Sequence, residues 1–229
     1  MHKINLDLGF SQPFFYGVII LKLAIIITGG NAPLFIPDTI PLDNTFIVAA
    51  DSGLDVAEIL GLKCDVAIGD FDSIKDHSLL NNVEVMQYPK DKDYSDTELA
   101  ISLVKEKGYT DYVLIGGGEG RMDHLLNIWS LFEKYGAPIC WLTRREAMYL
   151  VKDKRRFETS KGETVSFIPS SLNNSAIISS MELKWPLDNF EIATDKMSLS
   201  NEATKGNLLV KSVKGYVYTV FLNPRENHW

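Results

Sequence analysis

The sequence predicts a two-part fold: an N-terminal α/β domain built on a parallel sheet, followed by a C-terminal all-β sandwich domain. Up to residue 150, short apolar β-branched runs alternate with amphipathic stretches, which is typical of βαβ units. Beyond it, strand-like runs are separated by clusters of Gly, Asn, Pro and Ser. With 229 residues, 45% of them hydrophobic, the chain can bury a sizeable core without disulfides. We expect domains at 1–150 and 151–229, with the charged stretch 152–156 as the boundary.

Each expected element follows from its own periodicity. In the first domain, apolar runs of strand length lie at 23–27, 45–50, 66–68, 83–87, 112–115 and 139–141. Apolar residues at helical spacing lie between them at 54–60, 96–107 and 123–135. The second of these begins Ser95-Asp96-Thr97-Glu98, and such hydroxyl and acid groups suit a helix N-terminus. In the second domain, strands are expected at 162–168, 176–179, 208–213 and 216–222, without a good helix among them.

The apolar run at 14–27 has two interpretations, a targeting segment or a buried strand. It is shorter than the ~20 residues of a membrane span, and Lys22 interrupts it. A small-residue cleavage site does not follow it. The run Ile25-Ile26-Ile27, ending at Gly29-Gly30, favours a buried parallel strand that leads into a loop. Residues 1–21 are an extension to which we assign no role.

Charge and cysteine content exclude several kinds of partner. The formal net charge is −7, with acidic and basic residues interleaved, so we expect no nucleic acid and no membrane as partners. Cys64 and Cys140 are the only cysteines, and they lie far apart in sequence. They have neither the spacing of a zinc site nor the density of a secreted disulfide scaffold. We expect a cytoplasmic protein.

The segment Gly69-Asp70-Phe71-Asp72-Ser73 follows an apolar strand and presents two carboxylates in alternate positions. In an extended chain, alternate residues point the same way, so Asp70 and Asp72 are expected to share one cation. Mg²⁺ suits such a site, because it prefers one or two carboxylates completed by waters and phosphate oxygens. The alternative is a solvated turn rich in Asp and Ser.

Two further segments flank predicted helices. The segment 89–98 precedes the helix at 96–107, and a helix N-terminus attracts anions. Lys92 is expected to meet a phosphate, Ser95 to donate to one, and Asp96 to add a third carboxylate to the metal site. The alternative is a capped helix with exposed charges. Asp51, at the end of another strand, is either a polar contact in the same crevice or the cap of the helix that begins near Leu54.

The segment 116–124 is rich in glycine and follows a strand. Gly117 and Gly118 permit close backbone approach to phosphates, and Arg121 offers a planar fork for phosphate oxygens. Asp123 and His124 open the next helix. The segment lacks the spacing of a Walker A loop and of a dinucleotide-binding fingerprint, which disfavours P-loop kinases and Rossmann dehydrogenases.

Together, these segments resemble thiamine pyrophosphokinase, also called thiamine diphosphokinase. The stretches that carry the resemblance are Asp51-Ser52-Gly53, Gly69-Asp70-Phe71-Asp72-Ser73, Lys92-Asp93-Tyr94-Ser95-Asp96 and 116–124. Farther on, Leu183-Lys184-Trp185-Pro186-Leu187 and Ser198-Leu199-Ser200-Asn201-Glu202 look like the family's thiamine-binding region.

The resemblance implies an ATP-binding α/β domain, a thiamine-binding β-sandwich and a homodimer whose active sites lie at the subunit interface. It implies Mg²⁺ at Asp70, Asp72 and Asp96, ATP as co-substrate, and thiamine contacts from Ser198, Ser200 and Asn201. The nucleotide and pyrophosphate path would be lined by Asp51, Lys92, Ser95, Gly117, Gly118, Arg121, Asp123 and His124. Tyr218 is expected to stack on the aminopyrimidine, with Trp185 as the second choice.

The reaction implied by the family is attack of the thiamine hydroxyl on the β-phosphorus of ATP, with release of AMP. Three other functions stay open on the sequence: a pyrophosphokinase for another alcohol such as a hydroxymethylpterin, a non-catalytic sensor of ATP or thiamine diphosphate, and a Mg²⁺-dependent nucleotide pyrophosphohydrolase. The serine-rich β half favours thiamine over a pterin. An intact triad of aspartates is more than a sensor needs.

Overall fold

The computed structural model describes residues 22–222, and within that range the first part of the chain alternates strands and helices. Its elements are β1 (Leu23–Ile27), β2 (Phe46–Ala50), α1 (Gly53–Ile59), β3 (Val66–Gly69), a 3₁₀ helix (His77–Asn82), β4 (Glu84–Gln87), α2 (Asp96–Glu106), β5 (Asp111–Ile115), α3 (Met122–Tyr135) and β6 (Cys140–Leu142). Each strand and α-helix predicted for this part is present, with its ends within one residue of the prediction.

The second part contains strands alone among the described residues. They are β7 (Glu146–Val151), β8 (Lys154–Glu158), β9 (Thr164–Pro169), β10 (Ala176–Ser180), β11 (Leu187–Ile192), β12 (Ser198–Glu202), β13 (Asn207–Lys214) and β14 (Val217–Leu222). Sequence patterns predicted β9, β10, β13 and β14, but missed the other four. The signal was weak in three of these four, because β8 and β12 are largely polar and β11 alternates irregularly.

One ten-stranded sheet runs through both parts, in the order β12-β9-β14-β7-β6-β5-β1-β2-β3-β4. Strands β6, β5, β1, β2, β3 and β4 are parallel, whereas β7 pairs antiparallel with β6 and with β14. A second, antiparallel sheet has the order β11-β10-β13-β8. The predicted fold class, a parallel α/β part followed by an antiparallel sandwich, is therefore confirmed.

The core lies on both faces of the long sheet, because successive side chains of a strand point to opposite faces. In β1, Ala24 and Ile26 belong to the cluster that packs under α2 and α3, whereas Ile25 and Ile27 belong to the cluster that continues into the sandwich. All four are fully buried. Burial on both faces explains why this strand is continuously apolar.

The structure shows where the apolar run and the charged stretch of the sequence lie in the fold. Residues 23–27 of the apolar run form β1, which lies between β2 and β5 in the sheet and confirms the buried-strand interpretation. Residues 1–21 lie outside the described residues. The charged stretch 152–156 includes the first three residues of β8, which pairs with β13. Strand β7 before it joins the parallel strands to the sandwich. Across residues 22–222, the helices are all too short or too polar to cross a bilayer.

Candidate active site

Four aspartates meet where the parallel strands β2 and β3 end. Asp51 follows β2, Asp70 and Asp72 follow β3, and Asp96 is the first residue of α2. The carboxylates of Asp51, Asp70 and Asp72 place one oxygen each within 4.8 Å of one another. Open parallel sheets bind ligands at this edge because the strand ends and helix N-termini converge there.

Gly69 allows the fourth aspartate to approach. A Cβ at this position would lie 3.1 Å from Asp96 Oδ1 and 3.3 Å from Asp51 Cβ, and the φ of +149° is itself unfavourable for other residues. The absence of a side chain therefore brings α2 and β2 together around the end of β3.

A tight turn, rather than extended chain, brings Asp70 and Asp72 together. Phe71 between them has a φ of 64°, and Asp51 has a φ of 47°, both in the left-handed region that non-glycine residues rarely adopt. Phe71 is 4% exposed, so its packing holds the turn in place, and the Asp72 N–H donates to Asp70 Oδ1 at 3.2 Å. Such strain persists where the surrounding structure enforces it, which is common at functional sites.

Two lysines of the loop before α2 contact these carboxylates. Lys92 Nζ lies 3.1 Å from Asp70 Oδ2 and 3.1 Å from Asp96 Oδ1. Burial acts to lower the pKa of Lys92, but its ion pairs with Asp96 and Asp70 outweigh this and raise it. Lys90 forms an exposed ion pair with Asp72, and its hydrogen bond lowers the pKa of that carboxyl. Lys92 was expected near a phosphate; Lys90 had no expected role.

The cluster fits a divalent cation. Asp51 Oδ1 is buried and has no hydrogen-bond partner among residues 22–222. Burial raises the pKa of Asp96 even though Lys92 opposes this. Four carboxylates thus face two ammonium groups in a partly buried crevice, which leaves an excess of negative charge and an unused oxygen for a metal. Asp51, expected on the nucleotide path, lies within the cluster, whereas Asp96 is paired with Lys92.

Ser95 caps α2, as the alternative interpretation of this segment proposed. Its Oγ accepts from the Glu98 N–H at 3.2 Å and from Asn127 Nδ2 at 3.2 Å. The neighbouring Thr97 hydroxyl is hydrogen-bonded to the Thr28 hydroxyl, with 2.7 Å between the oxygens. These contacts fix the N-terminus of α2 against the loop that follows β1.

The glycine-rich segment packs against the same loop. The Gly116 N–H donates to Leu142 O and the Gly117 N–H to Gly29 O, each at 2.8 Å, and both residues have positive φ. A Cβ at Gly118 would lie 2.7 Å from the Thr143 side chain. Backbone from three strand ends therefore forms one wall of the crevice.

Beyond the glycines, the side chains are exposed. Arg121 Nε donates to Asp123 Oδ1 at 3.1 Å, a bond that lowers the pKa of Asp123, and His124 is exposed on the first turn of α3. Glu119 accepts from Asn31 Nδ2 at 3.0 Å and its Oε1 lies 3.6 Å from Arg145 Nε. Sequence reasoning missed this last contact because its members come from three separate loops.

The residues expected to bind thiamine lie on and beside β12. Asn201 is 2% exposed: its Oδ1 accepts from the N–H groups of Trp185 and Glu202 at 3.2 and 2.9 Å, and its Nδ2 donates to Trp185 O at 2.8 Å. Asn201 thus holds the backbone of Trp185, whose side chain is 55% exposed. Ser198 is half-buried, and Ser200 is exposed with a φ of 55°.

Tyr218 is not placed to stack on a ligand. It lies on β14, a strand with neighbours on both sides, is 1% exposed, and its hydroxyl donates to Pro138 O at 2.8 Å. Its ring packs in the core with its centroid 6.4 Å from that of Phe132. Both ring faces are therefore covered by protein, and Trp185 is the exposed aromatic beside Asn201.

The two groups of site residues lie at opposite ends of the long sheet. β12 is one edge strand, and β3 is eight strand positions away. At ~4.8 Å per position, the separation is roughly 38 Å along the sheet. The Ser198 to Asn201 segment and the aspartates of the same chain therefore lie in different parts of the sheet.

The fold and the crevice define a class of protein: an α/β protein with an acidic centre at the strand ends and a β-sandwich attached to the same sheet. Two family models match the chain. They are the catalytic domain of thiamin pyrophosphokinase over residues 41–140 and the vitamin B1 binding domain of thiamin pyrophosphokinase over residues 151–217. Together they cover well over half of the chain.

Solved structures share the fold. A thiamin pyrophosphokinase family protein from Enterococcus faecalis is 22% identical with a TM-score of 0.68, covering 89% of this chain and 100% of its own. Thiamine pyrophosphokinase from Bacillus subtilis is 24% identical with a TM-score of 0.68 and the same coverage. The Candida albicans enzyme is 16% identical with a TM-score of 0.63, covering 89% of this chain and 91% of its own. Curated protein sequences gave no significant match.

The chain belongs to the thiamin pyrophosphokinase family. It is an ATP-dependent enzyme that transfers a pyrophosphoryl group to thiamine.

Proposed function

We propose that the aspartate crevice binds Mg²⁺ together with the triphosphate of ATP, and that thiamine diphosphate and AMP are formed there. The observation that carries this proposal is the approach of three carboxylates to within 4.8 Å at the ends of β2 and β3, beside the N-terminus of α2. Mg²⁺ bound by Asp51, Asp70 and Asp72 would neutralise charge on the phosphate oxygens.

The remaining residues of the crevice bind and orient the nucleotide. Lys92 is held between Asp70 and Asp96, and in this proposal its ammonium group contacts a phosphate of the nucleotide. Gly117 and Gly118 belong to the loop after β5, which in this proposal borders the phosphates. Arg121 is exposed, and within residues 22–222 its ion pair is with Asp123, an exposed contact that its guanidinium can exchange for phosphate oxygens.

The chain's own groups support direct, in-line transfer. The thiamine hydroxyl oxygen bonds to the β-phosphorus, the bond from that phosphorus to the α–β bridging oxygen breaks, and AMP leaves. The clustered carboxylates are the candidate acceptors for the hydroxyl proton. A cysteine intermediate is disfavoured, because Cys64 and Cys140 are buried and burial raises the pKa of each thiol to about 12.

Thiamine binds, in this proposal, against Trp185, with Ser198 and Ser200 as polar contacts. A large exposed aromatic beside hydroxyl groups suits a flat heteroaromatic ring with polar substituents. Asn201 acts through Trp185, because all of its side-chain polar atoms already bond to backbone.

We infer that the active enzyme is a homodimer. The eight strand positions between β12 and β3 of one chain favour a site in which the thiamine-contacting segment reaches the aspartates of a second copy. The two free, buried cysteines suit a reducing cytoplasm.

The test is AMP formation from ATP with and without thiamine, with the organic product identified by mass and a parallel reaction in EDTA. We expect thiamine-dependent AMP, a product of the mass of thiamine diphosphate, and no AMP in EDTA. AMP without thiamine would instead indicate a pyrophosphohydrolase. Binding without AMP would indicate a sensor, and AMP only with a hydroxymethylpterin would indicate the other acceptor.

A further inference from the structure

The loop between β4 and α2 carries two lysines that contact the aspartates in different ways. The Lys92 side chain is 11% exposed and lies between two carboxylates. The Lys90 side chain is 77% exposed and contacts a single carboxylate, that of Asp72, which is itself 44% exposed. Lys92 is therefore part of the packed crevice, whereas Lys90 is held by one ion pair at its mouth.

This exposed ion pair is easily broken. Water solvates both charges, and the long lysine side chain loses rotamer freedom when it pairs, so such contacts contribute little. Asp72 Oδ1 already accepts from Ser73 Oγ at 2.9 Å, and Lys90 occupies Oδ2. A cation shared by Asp51, Asp70 and Asp72 needs an oxygen of Asp72, and Lys90 competes with it directly.

We propose that Lys90 is a displaceable counter-ion that couples binding of the divalent cation to binding of the nucleotide. The inference rests on the proposed metal site. Without nucleotide, the Lys90 ammonium on Asp72 weakens binding of the bare cation. A nucleoside triphosphate offers that ammonium phosphate oxygens instead, and Asp72 is released. Cation and triphosphate therefore favour each other's binding, and this coupling is reciprocal.

The experiment titrates the full chain with Mn²⁺ and follows free Mn²⁺ by electron paramagnetic resonance. It is run without nucleotide and with α,β-methylene-ATP, whose bridging carbon prevents transfer. The variants are Lys90→Met, Lys90→Arg and, as a matched control, Lys63→Met. Lys63 is exposed and precedes β3, whereas Asp70 follows it, so the control removes the same charge at the far end of the strand.

Without nucleotide, we expect Lys90→Met to bind Mn²⁺ about two- to fivefold more tightly than the wild type, as loss of an exposed ion-pair competitor implies. Lys63→Met and Lys90→Arg should match the wild type. With the analogue, the advantage of Lys90→Met should disappear, because the wild-type lysine then contacts phosphate. The gain in Mn²⁺ affinity on adding the analogue should accordingly be smaller in Lys90→Met.

Equal Mn²⁺ affinities of wild type and Lys90→Met without nucleotide would overturn the proposal. The proposal would also be overturned if Lys90→Met bound Mn²⁺ more tightly than the wild type by the same factor with and without the analogue. That result would indicate a general effect of charge, which does not depend on nucleotide. If neither the wild type nor Lys90→Met binds Mn²⁺ even with the analogue, the metal site of the proposed function is wrong. The proposed role of Lys90 is then wrong as well.

Discussion

At the scale of single residues, the candidate catalytic carboxylate of Asp72 contributes little to the stability of the fold. Asp72 is partly exposed and lies on a turn held by Phe71, so its carboxylate can be changed without disturbing the core. We expect Asp72→Asn to lower kcat by roughly 10² or more, through loss of metal binding, while the melting temperature stays near that of the wild type.

Asp76→Asn is the matched control for that substitution. Asp76 lies four positions farther along the chain, and its Oδ1 accepts from the Ser78 N–H as the cap of the 3₁₀ helix. Asparagine caps about as well as aspartate, so this variant should keep both activity and stability. Near-normal turnover by Asp72→Asn would remove Asp72 from the metal site.

A second prediction at this scale concerns Asn201, which holds Trp185 rather than a ligand. Asn201→Ala removes the hydrogen bonds to the Trp185 backbone and should raise the KM for thiamine about tenfold. The KM for ATP should stay nearly unchanged, because in the proposed site Trp185 contacts thiamine and not the nucleotide. Steady-state kinetics in both substrates, with the exposed Asn173→Ala as control, measures this; an equal rise in both KM values would contradict a positioning role.

At the scale of elements, close approach of three strand ends forms the wall of the crevice. A Cβ at Gly116 would lie 2.3 Å from Thr28 O, and its φ is +94°. We expect Gly116→Ala to lower the free energy of unfolding by roughly 3 kcal/mol, from backbone strain and displacement of the loop after β1. Urea unfolding measures this.

Gly120→Ala provides the comparison within the same segment. A Cβ there would meet nothing nearer than Gly118 O at 4.0 Å. Its unfolding free energy should stay within about 0.5 kcal/mol of the wild type, as for other surface changes. Similar losses in the two variants would mean that the segment tolerates no substitution, and that contact with Thr28 is not the cause.

At the scale of the whole molecule, the length of the sheet leads to a prediction about assembly. We expect homodimers of Asp72→Asn and homodimers of Trp185→Ala to be nearly inactive, because in each homodimer both active sites contain the substitution. A mixed dimer has one site with both substitutions and one site with neither. Unfolding and refolding an equimolar mixture makes about half of the dimers mixed, so about a quarter of wild-type activity should return. Activity no greater than the sum of the two homodimers would show that each site is formed within one chain.

Much of the fold was predictable, because most of its strands and helices have local hydrophobic patterns that are typical of their type. The strand and helix bounds before residue 143 follow from hydrophobic periodicity, and continuous apolar runs predict buried strands such as β1. β11 and β12 escaped prediction because each is the edge strand of its sheet, where polar residues face solvent and the alternation is lost.

The sequence by itself determined which residues are candidates for the chemistry: the aspartates at the strand ends, Lys92 and the serines near Asn201 belong to short segments whose residue types suit phosphate, metal and a heteroaromatic ring. Only the tertiary structure decided how they group. It placed Asp51 among the clustered carboxylates, buried Tyr218 while leaving Trp185 exposed, and set β12 eight strand positions from β3. The physical reason is that residue type depends on local chemistry, whereas burial and distance depend on strand order, which no local pattern records.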